Sequence, residues 1–427
     1  MLTSHGVATP AGIIYPHVSA NQSYATYTYT GHTYPGSLAD LMRESIRAGF
    51  SHCWIAPGQP GHSQQDLGEL TGKDWDIANI SYAKNGPHRG QVSSITGRLM
   101  RPSRSRNTRL IFQEATSWPI APLVPTALLS LIDRMESRLL VPMSGSPTSV
   151  GLRFLERMHT QYYDEYFRKD DTVDWESLRK LGLPFFAWFP PVAAPLGFFL
   201  HCFDRNSSHT AAAVDESMGI GCPYHQIGGT FNKRQPGLWC VTVRGAINHI
   251  DPRLPALFPS NVAWLPTPLI RVCQLIGGTI DVQEAFLWPE GKPVFERWGR
   301  SLWQYRQEST GYERECIKKV MNNTIGSMRL GDDMAATMRP DWYRTIVGAE
   351  RAMVWYKAWR IGQAYDVWPC AAYADALYYL SREQEPGRAV PEILRYQQSL
   401  GGYKHAWTLK VTPEVAAIMA QKRGAAL

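Results

Sequence analysis

Three short segments decide the reading of this chain: Phe203-Asp204-Arg205-Asn206-Ser207-Ser208-His209, Lys318-Lys319-Val320-Met321-Asn322-Asn323-Thr324-Ile325-Gly326 and Tyr373-Ala374-Asp375-Ala376-Leu377-Tyr378. The uncharged stretch leading into the first, residues 181–203, is interrupted by Pro184, Pro190, Pro191 and Pro195. Those prolines would leave backbone groups unsatisfied in a membrane-spanning helix. The stretch predicts a Pro-rich connection and then a buried strand, Leu196 to Phe203, that delivers Asp204 to its end. Around the third segment, Val367 to Ala372 and Ala376 to Leu380 read as a β-hairpin with Asp375 at the tip. Around the second, Trp303 to Met328 reads as two helices joined near Ser309-Thr310-Gly311. Taken alone, each aspartate is an ordinary turn or cap residue.

The 427 residues suffice for one large core or two to three smaller ones. Lys and Arg number 44 against 37 Asp and Glu, a formal charge of +7. This mild excess permits a polyanionic partner without requiring one. Arg98, Arg101, Arg104, Arg106 and Arg109 fall close together among Ser, Pro and Asn. They read equally as a solvated loop and as a phosphate-contacting strip. Seven scattered cysteines do not make a disulfide framework, so a reducing, cytoplasmic setting is expected. Cys222-Pro-Tyr-His225 has metal-like local spacing, but no second ligand pair follows it. The N-terminus lacks the basic run and apolar core of a signal peptide, and no membrane partner is expected.

Residues 1–150 alternate short β-like runs with helical ones. Ser23 to Thr30 is rich in Tyr and Thr, Leu38 to Ala48 has helical periodicity, and Ser51 to Ile55 is apolar, which together predict an α/β unit. Residues 151–195 read as helical, and 196–427 hold all three segments and a basic tail. No internal repeat occurs at periods of about 20 to 50 residues.

In order and pattern, the three segments resemble the polymerase core of family B DNA polymerases, most like the small protein-primed replicases of linear phages and plasmids. In that family they take the forms D-x-x-S-L-Y, K-x-x-x-N-S-x-Y-G and D-T-D-S followed by a hydrophobic and an aromatic residue. The resemblance implies an α/β and α+β multidomain chain, a right-hand polymerase of palm, fingers and thumb preceded by a degenerate RNase H-like 3′-5′ exonuclease-type domain at 1–150. It implies a helical linker region at 151–195, a first palm part with room for an insertion at 196–300, and a fingers hairpin at 301–335. A second palm part would follow at 336–384 and a thumb-like region at 385–427.

Phosphoryl transfer to a 3′-hydroxyl uses two divalent cations held by carboxylates from different strands. By resemblance, Asp204 and Asp375 are that catalytic, metal-binding pair, with Mg2+ or Mn2+ as cofactor and no organic one. Lys318, Asn322 and Gly326 fall on the lysine, asparagine and glycine of the second pattern. Arg306, twelve residues earlier, replaces a phosphate-contacting lysine, and cations there suit a triphosphate. Lys319 reads as a solvated neighbour. Lys404, or Lys410 in its place, is the candidate lysine near a primer terminus.

The departures fall around the incoming nucleotide and the primer. His209 stands where the family has an aromatic gate against the ribose 2′-hydroxyl, Ile325 where the second pattern has tyrosine, and Tyr373 where the third has its first aspartate. The run Tyr24 to Thr30 resembles the first strand of the family's exonuclease domain, which ends in D-x-E, with Thr28 and Thr30 at the carboxylate positions and Phe112-Gln113-Glu114-Ala115-Thr116-Ser117 as a second matching segment. Without carboxylates there, proofreading is not expected. From Lys318 to Asp375 is 57 residues, too few for the hairpin that strand-displacing relatives insert. The 113 residues between Asp204 and Lys318 can hold an insertion that embraces a terminal protein.

Two functions follow. One is a template-directed DNA polymerase without proofreading, whose partners are a DNA primer-template, deoxynucleoside triphosphates with ribonucleotides tolerated, and a terminal or replication-initiation protein. The other is a catalytically inactive polymerase-fold protein that binds DNA as a replication-initiation scaffold.

Overall fold

The computed structural model describes residues 5–9, 12–18, 25–29, 52–55, 75–82, 91–99, 107–112, 117–120, 123, 125–167, 174–180, 187–188, 195–245, 262–329, 339–394 and 397–425. The chain divides into two compact units, Met1–Arg157 with Gln304–Thr324, and Met158–Trp303 with Ile325–Leu427.

In the first unit β1 (His5–Thr9), β2 (Gly12–Val18), β3 (Ala25–Tyr29), β4 (His52–Ile55), β5 (Trp75–Tyr82), β6 (Val92–Leu99) and β7 (Asn107–Phe112) form one sheet. Its order is β3-β2-β1-β4-β7-β6-β5. The central strands β1, β4 and β7 are parallel, and the flanking strands run antiparallel to their neighbours. Helices α1 (Pro125–Leu139) and α2 (Pro147–Met158) follow. Along α1, Leu128, Leu131, Ile132, Met135 and Leu139 are buried, the stripe of an amphipathic helix. On the strands, Cys53, Trp54, Ile95 and Ile111 are fully buried.

One expectation changes here. Of the Tyr24–Thr30 run, Ala25–Tyr29 forms β3, an edge strand and the third in chain order among the described strands, whereas the first of these is β1, inside the sheet between β2 and β4. His5-Gly6-Val7-Ala8-Thr9 is short and shows no alternation, so sequence pattern passes over it. Among the described strands of this sheet the single carboxylate residue is Asp76, on the opposite edge strand β5. Residues 38–48, 113–116, Thr30, Arg101, Arg104 and Arg106 lie outside the described residues.

The second unit contains α3 (Tyr163–Phe167), α4 (Trp175–Lys180), β8 (Ala187–Trp188), β9 (Phe199–Arg205), α5 (Ser208–Asp215), β10 (Met218–Ile220), β11 (Tyr224–Ile227), β12 (Gly237–Gly245), β13 (Ala263–Pro266), α6 (Thr267–Leu275), β14 (Gly278–Leu287) and β15 (Glu290–Lys292). The expected helical hairpin, α7 (Glu296–Glu308) and α8 (Gly311–Ser327), is divided between the two units. Then come α9 (Pro340–Tyr365), β16 (Ala371–Tyr373), β17 (Ala376–Ser381), α10 (Pro386–Ala389), β18 (Tyr403–Lys410) and α11 (Pro413–Ala425). The 196–300 region supplies an antiparallel sheet of its own, β11-β14-β12-β13, and the pair β10-β15. The third sheet, β18-β9-β17-β16-β8, carries two of the three deciding segments. Residues 403–410, within the region expected to be thumb-like, pair with the edge of β9 opposite to β17.

At 1.5 Å per residue α9 is about 39 Å long, and it packs against α5 and α6. It is buried around most of its circumference, as its mixed Trp, Ile, Val and Ala content requires. Arg339, fully buried, fixes its start: Nε and Nη2 donate to the two Asp341 carboxylate oxygens at 3.0 and 2.7 Å, and Nη2 also donates to the Gly219 carbonyl at 2.6 Å. Phe203, Trp239, Leu269, Trp355, Leu377, Tyr379 and Tyr403 share one core between this helix and the sheets. None of the seven cysteines is in a disulfide. Among the described residues no helix is long and apolar enough to cross a membrane.

Candidate active site

Asp204 lies inside β9, not beyond its end, because β18 extends the pairing as far as Tyr403 opposite Arg205. Alternation along the strand turns Phe203 and Arg205 into the protein and leaves Asp204 partly exposed. Its register partner is Lys404, whose Nζ is 3.2 Å from Asp204 Oδ2. After Asp204 the chain turns sharply through Ser207, at φ +46°, into α5. Three hydrogen bonds hold that turn against residues 401–402. The Asn206 N–H donates to the Gly402 carbonyl at 2.8 Å, the Gly401 N–H donates to the Asn206 carbonyl at 2.8 Å, and Arg205 Nε donates to the Gly401 carbonyl at 2.9 Å.

β16 and β17 form the hairpin expected from sequence, with Tyr373 opposite Ala376 and Ala374-Asp375 as its tip. β17 then pairs with β9, Leu377 opposite Phe203, so the tip comes up beside Asp204. The Asp375 carboxyl is pushed up to about 7, first by burial and then by the negative charges of Asp204 and Glu350, with Arg205 offsetting part of the effect.

Glu350 was not singled out from sequence. It stands in α9 with its side chain 6% exposed, and its Oε2 is 3.3 Å from Nε2 of His209, in the first turn of α5. Its other oxygen, Oε1, is buried without a hydrogen-bond partner. The signal was a carboxylate in the middle of a helix whose other charged residues beyond the first turn, Arg344, Arg351, Lys357 and Arg360, are all basic, a position where a buried charge is costly unless it is used or paired.

Among the described residues, no three or more His, Cys, Asp and Glu side chains are grouped to hold a metal ion by themselves. Asp204 and Asp375 nevertheless suit Mg2+ or Mn2+. Such cations prefer hard oxygen donors and commonly take one or two carboxylates, completing their shell with water and phosphate oxygens. The metal-like pair Cys222 and His225 belongs to no such group; His225 Nε2 is 2.7 Å from Glu284 Oε2.

The second segment lies on α8. Lys318, Lys319 and Asn322 are exposed there, Lys318 and Asn322 one turn apart on one face. Arg306, expected to reach a phosphate, is instead 7% exposed: it continues the buried row Trp298, Leu302 on α7 at intervals of four. Ile325 is likewise a core residue, 1% exposed, four residues beyond buried Met321. Neither placement offers the side chain to a nucleotide. A Cβ at Gly326 would meet nothing within 4 Å. Tyr373 is exposed, and Lys410 lies at the far end of β18 opposite Phe199, so Lys404 is the lysine beside Asp204.

No protein-family model matches the chain, and no curated protein matches it by sequence. Comparison of folds does find similar structures. Phi29 DNA polymerase complexed with primer-template DNA and incoming nucleotide substrates superposes with a TM-score of 0.57 at 10% identity, over 96% of this chain and 85% of that one. The same polymerase complexed with single-stranded DNA gives 0.53 at 12% identity, over 91% and 79% of the two chains. Its post-translocation binary complex with primer-template DNA gives 0.55 at 11% identity, over 96% and 85%. This chain has a DNA polymerase-like fold. At such identities the likeness is one of fold, and what the side chains do is argued from their own geometry.

Proposed function

We propose that the chain is a template-directed DNA polymerase of the family B, protein-primed type, extending a nucleic-acid or protein-linked primer, with Asp204 and Asp375 as its cation-binding pair. The observation that carries this reading is the register of β9 with β17, which brings an aspartate from each of two deciding segments to one end of one sheet in a chain with a polymerase-like fold. Bound Mg2+ or Mn2+ would supply Lewis-acid stabilisation of the transferring phosphoryl group. The protein's own part is to hold the two carboxylates in place through the hairpin and the Gly401-Gly402 clamp. Lys404 screens Asp204 and contacts the primer end. Lys318 and Asn322, exposed on α8, bind the triphosphate, and open space at Gly326 lets a ligand approach the backbone. His209 stands in for the aromatic sugar gate, so ribonucleotides are tolerated beside deoxynucleotides.

In this reading β8, β9, β16 and β17 are the palm, α7 and α8 the fingers, and the residues after 385 the thumb-like end. The β11-β14-β12-β13 sheet is the insertion offered to a terminal protein. The sheet of the first unit, with Asp76 as its single described carboxylate, keeps an exonuclease-like frame without proofreading. A second reading draws on the ion pair at Asp204 and the raised pKa of Asp375, both consistent with an inert site: a polymerase-fold scaffold that binds DNA without catalysis.

Primer extension with Mg2+ or Mn2+ separates the two. Incorporation by the wild type that is lost in both Asp204→Ala and Asp375→Ala supports the polymerase. Absence of incorporation under every condition, with DNA binding intact, supports the scaffold.

A further inference from the structure

The carboxylate pair has a third acidic neighbour whose burial is not accounted for by its contacts. Glu350 is 94% buried at its side chain, yet its one described contact is with the half-exposed His209 at 3.3 Å, and Oε1 has no hydrogen-bond partner. A carboxylate held this deep costs several kcal/mol unless a cation or donors offset it. His209 stands in α5, the helix that follows Asp204, and α9, which carries Glu350, packs both on α5 and on β17, the strand that follows Asp375. The Tyr403 hydroxyl is a second buried polar atom with no partner. Glu350 on α9 and Tyr403, next to Lys404 on β18, thus each carry a buried polar atom that is left unsatisfied. Arg351 follows Glu350 in the helix and feels its charge, but Oε1 remains unpaired.

We propose that Glu350 is a positioning residue of the cation site, its Oε1 accepting a hydrogen bond from a water bound to the cation that Asp204 and Asp375 hold. This rests on the metal-binding reading given above. It is consistent with the lack of a three-residue cage, because Glu350 acts through water and not as a direct ligand. Partners of this kind commonly change metal affinity by 10- to 100-fold when removed.

The test is Mn2+ binding to the full chain, followed by the paramagnetic resonance signal of free Mn2+. Asp204→Asn and Asp375→Asn are expected to abolish high-affinity binding, and Glu350→Gln to weaken it about tenfold. Glu350→Asp, which keeps the charge, is expected to recover most of the loss, and His209→Ala to bind within about threefold of wild type. Glu350→Gln binding like wild type, while the aspartate variants fail, would overturn the inference alone. So would a loss in His209→Ala as large as in Glu350→Gln, because Glu350 would then act only through the imidazole. If both aspartate variants bind like wild type, the metal-binding reading itself fails. Should Glu350→Gln fold poorly, Glu350→Met, an apolar side chain of similar length that suits the buried position, takes its place: about tenfold weaker Mn2+ binding sustains the positioning role, and wild-type binding overturns it.

Discussion

Lys404 and Asp204 face each other across β18 and β9, and the lysine ammonium stands 3.2 Å from the aspartate carboxylate. Both side chains are about one-third exposed, so solvent screens the pair and its contribution to stability is at most about 1 kcal/mol. Its importance is local: a divalent cation on Asp204 must share that carboxylate with the ammonium or displace it. Lys404→Ala is therefore expected to leave the denaturation midpoint nearly unchanged, to tighten Mn2+ binding severalfold, and to weaken primer binding. Tighter metal binding is the informative part, and unchanged or weaker Mn2+ affinity would count against competition at Asp204.

Asp375 gives a prediction with a definite sign. Its carboxyl is pushed up to about 7, against about 4 for an unfolded aspartate. Below pH 4 both states are protonated and the group has no effect on stability. Between pH 4 and 7 the folded protein binds more protons than the unfolded chain, so stability falls as pH rises; above 7 the full penalty is present, at most about 4 kcal/mol. In metal-free buffer, the melting temperature of Asp375→Asn should exceed that of wild type by more at pH 8 than at pH 5. Added Mg2+ should raise the wild type at pH 8 and leave the variant unmoved. Parallel pH profiles for the two proteins would remove the basis of this argument.

Local pattern made the elements that carry Asp204 and Asp375 readable, but not the long-range pairing between strands. The Asp375 hairpin, the helix pair around Ser309-Thr310-Gly311 and the strand before Asp204 are encoded by contiguous turn residues and apolar runs, and each occurs within a few residues of its expected place. That β18 would extend β9, and so place Lys404 beside Asp204, depends on pairing between strands some 200 residues apart, which no window reveals. Arg306 and Ile325 were assigned from motif position, but the four-residue rows Trp298-Leu302-Arg306 and Met321-Ile325 put both on buried helix faces. Helix phase was the better guide there. Glu350 belongs to none of the three segments, and only the folding of α9 against α5 brings it to His209.

The start of α9 offers a stability prediction independent of metal. Arg339 and Asp341 are almost wholly buried and joined by two hydrogen bonds, with the Trp342 ring centre 4.2 Å from the guanidinium. Asp341→Ala leaves that guanidinium without its counter-charge, and breaking a buried pair on one side costs about 3–5 kcal/mol. Urea unfolding should show that loss. A loss below about 1 kcal/mol would mean that the Gly219 and Tyr166 carbonyls, which Arg339 also reaches, satisfy the cation unaided.

Ala374 sits immediately before Asp375 at φ +51°, a left-handed conformation that costs a residue with a Cβ about 1–2 kcal/mol and glycine almost nothing. Ala374→Gly should relieve that strain, offset in part by the greater freedom glycine gives the unfolded chain, for a net stabilisation of up to about 1 kcal/mol. The same change removes the stiffness that aims Asp375 at Asp204, and strained backbone at such a tip is kept only when its surroundings hold it there. A variant that melts higher but binds Mn2+ more weakly is therefore expected. If it melts higher and binds Mn2+ as well as the wild type, the β16–β17 ladder alone positions Asp375, and the left-handed alanine has no part in aiming it.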